Sequence, residues 1–455
     1  MRLKDTVIKI LRTPVNGLFR ILDRAVGWLL ALGLVRRTYS RISRLGLLQK
    51  TTHLVAVVFV LSLLARVAMF LAFPSFYPRQ ASQLEADSYF YDQSALNGMD
   101  NGHFSTFWSP GFSMFLASIY TLFGHSSVAP ALVLIVLGSA VSVVMFLVSM
   151  KIFNSRKTAF LAALIIAIEP TLVREAPMIL TDTLSLFVFS LVIYFVASDL
   201  LKPRLWYSGA LGGLLAFLVL TRPQYEILIP LYLLFLVALF VRSKKIKVKD
   251  VVLKVAVFIV ILGLVLGPWM AYTNDTLGRP VIVTNGGVNF YMGNNENATG
   301  RAMGVPLDTA DELWANSEGY RRGFEFIKQN PLDALVLDLK KIVLMVFAPQ
   351  RMPGEWTYNP PPFWTSLIYG LATNIGFILV EIVGFLGLVS AYRRRLPTVV
   401  PFVVIALAFY AIPVVYVVED RYLISIVPIL ALFGAEYLRT TMKGILLPST
   451  RTASS

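Results

Sequence analysis

The chain contains no cysteine and only three histidines among its 455 residues. Disulfides and thiolate metal sites are therefore excluded, and His53, His103 and His125 are too few for a histidine-rich centre. Charge is scarce as well: charged residues make up 15% of the chain, where a soluble globular protein averages about 25%. Apolar residues fill the gap, at 56% of the sequence and a mean hydropathy of +0.69. No Walker loop or dinucleotide fingerprint occurs, so a soluble nucleotide donor finds no cradle. No internal repeat is visible, which weighs against the inverted-repeat plan of many transporters.

Long apolar runs dominate what remains. His53–Phe73, Val128–Met150, Leu180–Ala197 and Val251–Tyr272 are the clearest, each near the roughly 20 residues that cross a bilayer. Backbone in hydrocarbon must satisfy its own hydrogen bonds, so the expected fold class is an all-α polytopic membrane protein. About 10 transmembrane helices (10–12) are expected, at 53–73, 128–150, 158–170, 180–198, 206–221, 225–241, 251–272, 364–391, 398–417 and 422–439. Two further apolar stretches, Trp108–Gly124 and Pro331–Phe347, are expected to lie along the membrane surface. In the second, Asp333, Lys340 and Lys341 fall near one helix face.

Charge fixes the orientation. The loops 151–157, 199–205, 242–254 and 392–397 carry fourteen Lys or Arg against two acids. The segments 79–100, 169–182, 222–226 and 419–421 carry four against ten. Basic loops stay in the cytoplasm, so the acidic segments are expected outside and both termini inside. The net charge of +15 then belongs to inner loops facing anionic lipid, and a nucleic-acid partner is not expected. Residues 1–50 read as a basic, interfacial cytoplasmic arm rather than a cleavable signal peptide, and 441–455 as a short cytoplasmic tail. Between them, 53–440 reads as one membrane domain with long outer loops at 74–127 and 273–365, expected to be ordered lids. The host membrane is the plasma membrane in a prokaryote, or the endoplasmic reticulum in a eukaryote.

The residues that could carry chemistry gather at the acidic face. Glu85, Asp87 and Asp92 stand with Tyr89 in "LEADSYFYDQ", Glu175 lies between Pro170 and Pro177, and Asp182 opens "DTLS". Arg222 follows in "LTRPQYE" and Arg421 in "EDRY". A carboxylate can take a proton from an attacking hydroxyl or amine, while arginine binds phosphate oxygens bidentately and keeps its charge. Together, at the mouth of a helix bundle, they suit transfer of a group from a lipid phosphate to an outer acceptor. Polar residues capping spans are the plain alternative for any one of them. In "TNGGVNFYMGNNENATG", Asn289 and Asn294 offer amides suited to sugar hydroxyls, although Asn/Gly runs are mostly turns.

In these stretches the sequence resembles the C-type integral-membrane glycosyltransferases, near the protein O-mannosyltransferase and aminoarabinose-transferase-like group. The resemblance runs in order through Asp87 with Tyr89, "WSPGFSMFLASIYTLFG", "LTDTLSLFVFSLVIYF", "LTRP", "GPWMAYTNDTLGRPVIVTNGGVNFYMGNNENATG" and "DRYLISIVPILALFGA". It covers roughly 53–440. It implies a polyprenyl- or dolichyl-phosphate sugar as donor, an active site at the outer face and a catalytic aspartate at Asp87. It also implies a second acidic position at Asp182, with Arg222 and Arg421 on the phosphate. An adjacent Asp-Glu pair, present in the mannosyltransferases, is missing from the first outer loop; Glu85-Ala86-Asp87 is the nearest approach there.

The expected activity is inverting transfer of a sugar to a lipid, glycan or protein, with Asp87 as general base. No cofactor is required, although the acids are compatible with a divalent metal. The rival readings are a lipid or solute transporter or flippase, and a polysaccharide polymerase or ligase using a diphosphate-linked donor. The cysteine-free chain allows a direct test of orientation. A single cysteine at Ser82 should react with a membrane-impermeant maleimide on intact cells, and one at Ser243 should react only after lysis. The reverse pattern would invert the threading.

Overall fold

The computed structural model describes residues 50–74, 77–242, 247–302, 304–347, 363–396 and 398–446. The expected basic arm up to residue 49 and the tail beyond 446 lie outside the described residues. Among the described residues every regular element is helical. The first span is α1 (Thr51–Ala72), and the segment after it folds as α2 (Ala86–Asn101) and α3 (Pro110–Phe123). The bundle continues through α4 (Val128–Phe153), α5 (Arg156–Ile168), the short α6 (Pro170–Glu175), α7 (Thr181–Leu201), α8 (Leu205–Thr221), α9 (Leu228–Arg242) and α10 (Val248–Leu277). A second long segment holds α11 (Gly286–Gly293), α12 (Glu312–Gln329) and α13 (Pro331–Phe347). The chain closes with α14 (Phe363–Arg393), α15 (Val399–Val415), a 3-10 turn at Asp420–Ser425 and α16 (Val427–Leu446).

Six of these stretches are long and apolar enough to cross a membrane: Thr51–Ala72, Val128–Phe153, Thr181–Leu201, Pro223–Val241, Val248–Leu277 and Ile375–Arg393. The protein is a multi-pass integral membrane protein. Helices also stand at the remaining four expected spans, and three of these are shorter. Leu205–Thr221 and Val399–Val415 have 17 residues each, and Arg156–Ile168 has 13. At 1.5 Å per residue, thirteen residues rise only about 20 Å, short of the ~30 Å hydrocarbon core. The cause of that early stop is local. Pro170 takes the first position of a new helix, and the Glu169 carboxylate caps it by accepting from the Leu172 amide at 2.7 Å.

The core is built by α4, which packs against α1, α5 and α7, and by α16, which packs against α5 and α14. Phe112, Leu134, Met145, Phe189, Phe402 and Phe433 are among its fully buried side chains. By contrast α10 shows most of its apolar surface outward and touches the bundle chiefly through α8. A helix that apolar and that exposed belongs against lipid. At the end of the bundle where the basic loops lie, the buried carboxylate of Asp199 accepts from Lys254 Nζ at 2.7 Å, joining α7 to α10. Each charge offsets the other's burial.

The two long connecting segments are tied together. Thr106 and Thr284 both donate their hydroxyls to Glu312 Oε2, at 2.5 and 2.8 Å, and the Thr284 amide donates to the Thr106 carbonyl at 3.1 Å. Both surface stretches expected from the sequence are helices, α3 and α13. In α13 the polar residues divide: Asp333 and Lys340 are exposed, whereas Lys341 turns inward with Ala334 and Leu337. That spacing of three and four residues is one helix face.

Helix crossings in lipid depend on small residues that let backbones approach. The sharpest case is Gly387 on α14, where an added Cβ would lie 2.3 Å from the Phe433 carbonyl of α16. At Gly263 on α10 an added Cβ would meet nothing within 4 Å. Gly387→Val should therefore cost about 1–3 kcal/mol, read as a lower melting temperature in detergent. Gly263→Val should shift melting far less, and equal losses would show that the α14–α16 approach is not limiting.

Candidate functional site

Four charged side chains from four distant stretches converge at one end of the bundle. Asp87 stands in the first turn of α2 and Asp182 in the first turn of α7, where a helix N-terminus favours negative charge. Arg222 ends α8 in extended backbone, as the following Pro223 demands. Arg421 lies in the 3-10 turn that leads into α16. Just ahead of Asp87, the backbone of Ala86 takes a φ of 49°, a left-handed conformation that an L side chain resists. Asp87 is thus the first residue after a forced bend.

Arg421 is the hinge of the arrangement. Its Nη2 donates to Asp87 Oδ2 at 2.8 Å and its Nε to Glu419 Oε2 at 2.7 Å. Burial alone would lower its pKa, but the neighbouring Tyr422, Glu419, Asp182 and Asp87 outweigh that and hold it well above the ordinary value. Arg222 donates from Nη1 to Asp182 Oδ1. Burial opposes its charge too, and Asp182 reverses the balance. The Tyr422 ring lies near both guanidiniums, 5.3 Å from that of Arg222 and 5.7 Å from that of Arg421.

Access separates the two pairs. The Asp87 and Arg421 side chains are 30% and 19% exposed, whereas Asp182 and Arg222 are 1% and 9% exposed. The outer pair can meet a ligand directly, with the inner pair behind it. The inner pair is not saturated: Asp182 Oδ2 is buried without a hydrogen-bond partner. Such an oxygen is costly to leave unpaired, and a donor from a water or a ligand would satisfy it. Beneath Asp87, Tyr91 is buried, and that burial together with the Asp87 charge pushes its phenol up, so it keeps its proton.

The other candidates separate from this centre. Glu85 precedes α2 and is exposed, and Tyr89 is 45% exposed and edge-on to Phe90. Asp92 turns the other way: Tyr120 Oη donates to it at 2.6 Å and His125 Nε2 lies 2.9 Å away, anchoring α2 to α3. The Glu175 carboxylate is engaged by its neighbour Arg174, with Nε at 2.8 Å. Asn289 is half-buried on α11. Asn294 is buried, and its amide donates to the carbonyls of Phe290 and Val415, each at 2.8 Å. Sequence reasoning missed Tyr422. The only available signal was an aromatic directly after Arg421.

Residues 108–269 match the family described as dolichyl-phosphate-mannose-protein mannosyltransferase. The structure is similar to the archaeal oligosaccharyltransferase AglB from Archaeoglobus fulgidus, solved in complex with an inhibitory peptide and a dolichol-phosphate. The likeness has a TM-score of 0.52 at 14% identity, over 87% of this chain and 50% of that one. The chain shares the fold of that membrane protein. It spans about half the length of the oligosaccharyltransferase it resembles. Among curated proteins, none matches it by sequence. The family match includes Asp182 and Arg222, while Asp87 and Arg421 lie outside it, so the candidate site joins matched and unmatched stretches. Among the described residues no group of three or more acidic or histidine side chains gathers as a metal cluster.

The inner pair makes a stability prediction. Asp182→Ala strands a buried guanidinium and should cost about 3–5 kcal/mol in detergent unfolding. Adding Arg222→Ala should recover part of that loss. Additive losses would mean that the two side chains do not depend on one another.

Proposed function

We propose that the protein transfers a sugar from a polyprenyl- or dolichyl-phosphate donor to a lipid, glycan or protein acceptor on the outer face of the membrane. The observation that carries this reading is the Asp87–Arg421 pair, partly exposed and backed by Asp182 and Arg222. A general base and two phosphate-binding guanidiniums are what a lipid-phosphate sugar requires of a protein. The family match supports the donor class, as does the dolichol-phosphate bound in the AglB structure.

The acceptor hydroxyl or amine attacks the anomeric carbon from the face opposite the phosphate, and the carbon–oxygen bond to phosphate breaks, inverting the centre. Asp87 takes the acceptor proton. Arg421 and Arg222 balance the negative charge that grows on the leaving phosphate, in a site partly screened from water. Arg421 is itself hydrogen-bonded to Asp87. An arriving phosphate competes for that guanidinium and releases the carboxylate, so the base is uncovered only when donor is bound. Asp182 Oδ2 accepts a hydroxyl of the sugar or acceptor, which orients it. Glu85 and Tyr89 flank the entrance. The donor's phosphate linkage supplies the activation, and no nucleotide takes part.

Asp87→Asn should lower kcat by about 10²–10⁴-fold for transfer from a polyprenyl-phosphate sugar in detergent, with donor binding retained. Arg222→Gln should chiefly raise the donor KM. Full turnover by a well-folded Asp87→Asn protein would remove Asp87 from the base role. Sided solute movement into vesicles with no sugar transfer would favour a transporter instead.

A further inference from the structure

Lys341 is a lysine with no exposed side-chain surface, on a helix that otherwise offers Leu335, Val336, Leu339 and Ile342 outward. A buried ammonium is costly, and methionine would fill the same space without that cost. Its Nζ donates to the Val414 carbonyl at 2.7 Å and to Asp338 Oδ1 at 3.2 Å. Val414 lies in the last turn of α15, just after Pro413. The final carbonyls of a helix have no donor within it. Lys341 supplies one such donor and Asn294 supplies the next, at the Val415 carbonyl.

The grip extends along the chain. The Val418 amide donates to the Gly300 carbonyl at 2.8 Å, and Gly293 packs so tightly on the Tyr416 carbonyl that a Cβ would sit 1.8 Å from its oxygen. The Phe290 ring meets Tyr416 edge-on, with centroids 5.9 Å apart. Every one of these partners comes from the second connecting segment. The residue after Val418 is Glu419, the partner of Arg421.

We infer that Lys341, together with Asn294, is a positioning residue for Arg421: the second connecting segment clamps the backbone of 414–418 and thereby sets where Glu419 and Arg421 stand. This rests on the reading that Arg421 holds the donor phosphate. Lys341 touches neither donor nor acceptor and acts only through that backbone. The same segment that borders the site therefore also tunes it.

The test uses the full chain in detergent. Lys341→Met keeps the stem and removes the ammonium. Amide hydrogen exchange over 414–425 should speed by about tenfold, while exchange in α4 and α7 stays as in the wild type. Binding of a polyprenyl phosphate should weaken by about tenfold, as loss of a charge-assisted hydrogen bond predicts. In an Arg421→Gln background the lysine substitution should weaken binding no further, because its route has been removed. Unchanged exchange over 414–425, or losses that simply add, would overturn the inference. If Lys341→Met does not fold, Asn294→Leu removes the bonds to the Val415 and Phe290 carbonyls, leaves Lys341 in place, and is judged by the same two readouts. Should the wild type not bind a polyprenyl phosphate, the donor reading fails, and the exchange result still decides whether the clamp exists.

Discussion

A charge buried in a helix bundle is costly to leave unpaired, and that constraint organises this molecule. Two arginines and three carboxylates stand at one end of the bundle, and each arginine is satisfied by an acid from a remote part of the chain. Arg421 joins the start of α2 to the start of the last helix, and Arg222 joins α8 to α7. The pairs hold helix ends in register where loops alone would let them drift. They also store the groups a phosphate-bearing ligand would use, already desolvated and aimed. On the proposed reading, one set of interactions serves stability and chemistry.

A gradient of access turns this into a site rather than a structural knot. The Asp182–Arg222 pair is buried and fixed, while the Asp87–Arg421 pair is partly open. Tyr422 sits beside both arginines and gives two like charges an aromatic face between them. The second connecting segment then grips the backbone immediately before Glu419. The long segments are therefore not mere connections. They form a folded cap, stitched by Glu312 to the first segment, and one of its edges is the scaffold of the site.

Much of the candidate site is legible in the amino-acid sequence. Asp87, Asp182, Arg222 and Arg421 stand out there because polar groups at the ends of apolar runs are costly and demand a reason. Asp92, in the same helix as Asp87, looks equivalent in sequence. It differs because five residues turn a helix by about 140°, which aims Asp92 at Tyr120 and His125 instead. Asn294 lies in a Gly/Asn run that suggests a sugar contact, yet its amide is taken up by backbone carbonyls. Lys341 looks like one of several surface charges on α13, and only the packing of α15 against that helix gives its ammonium a carbonyl to hold.

Composition and periodicity alone determined that the chain is helical and lives in a membrane, since a run of twenty apolar residues has no other stable setting. Counting charges in the short loops was enough to separate an acidic end from a basic one. Which acid meets which arginine was beyond their reach. Pairs such as Asp87 with Arg421 are separated by more than three hundred residues, and no local rule connects them. Tertiary packing made those choices, because the cost of a buried charge can be offset only by the partner that the fold delivers.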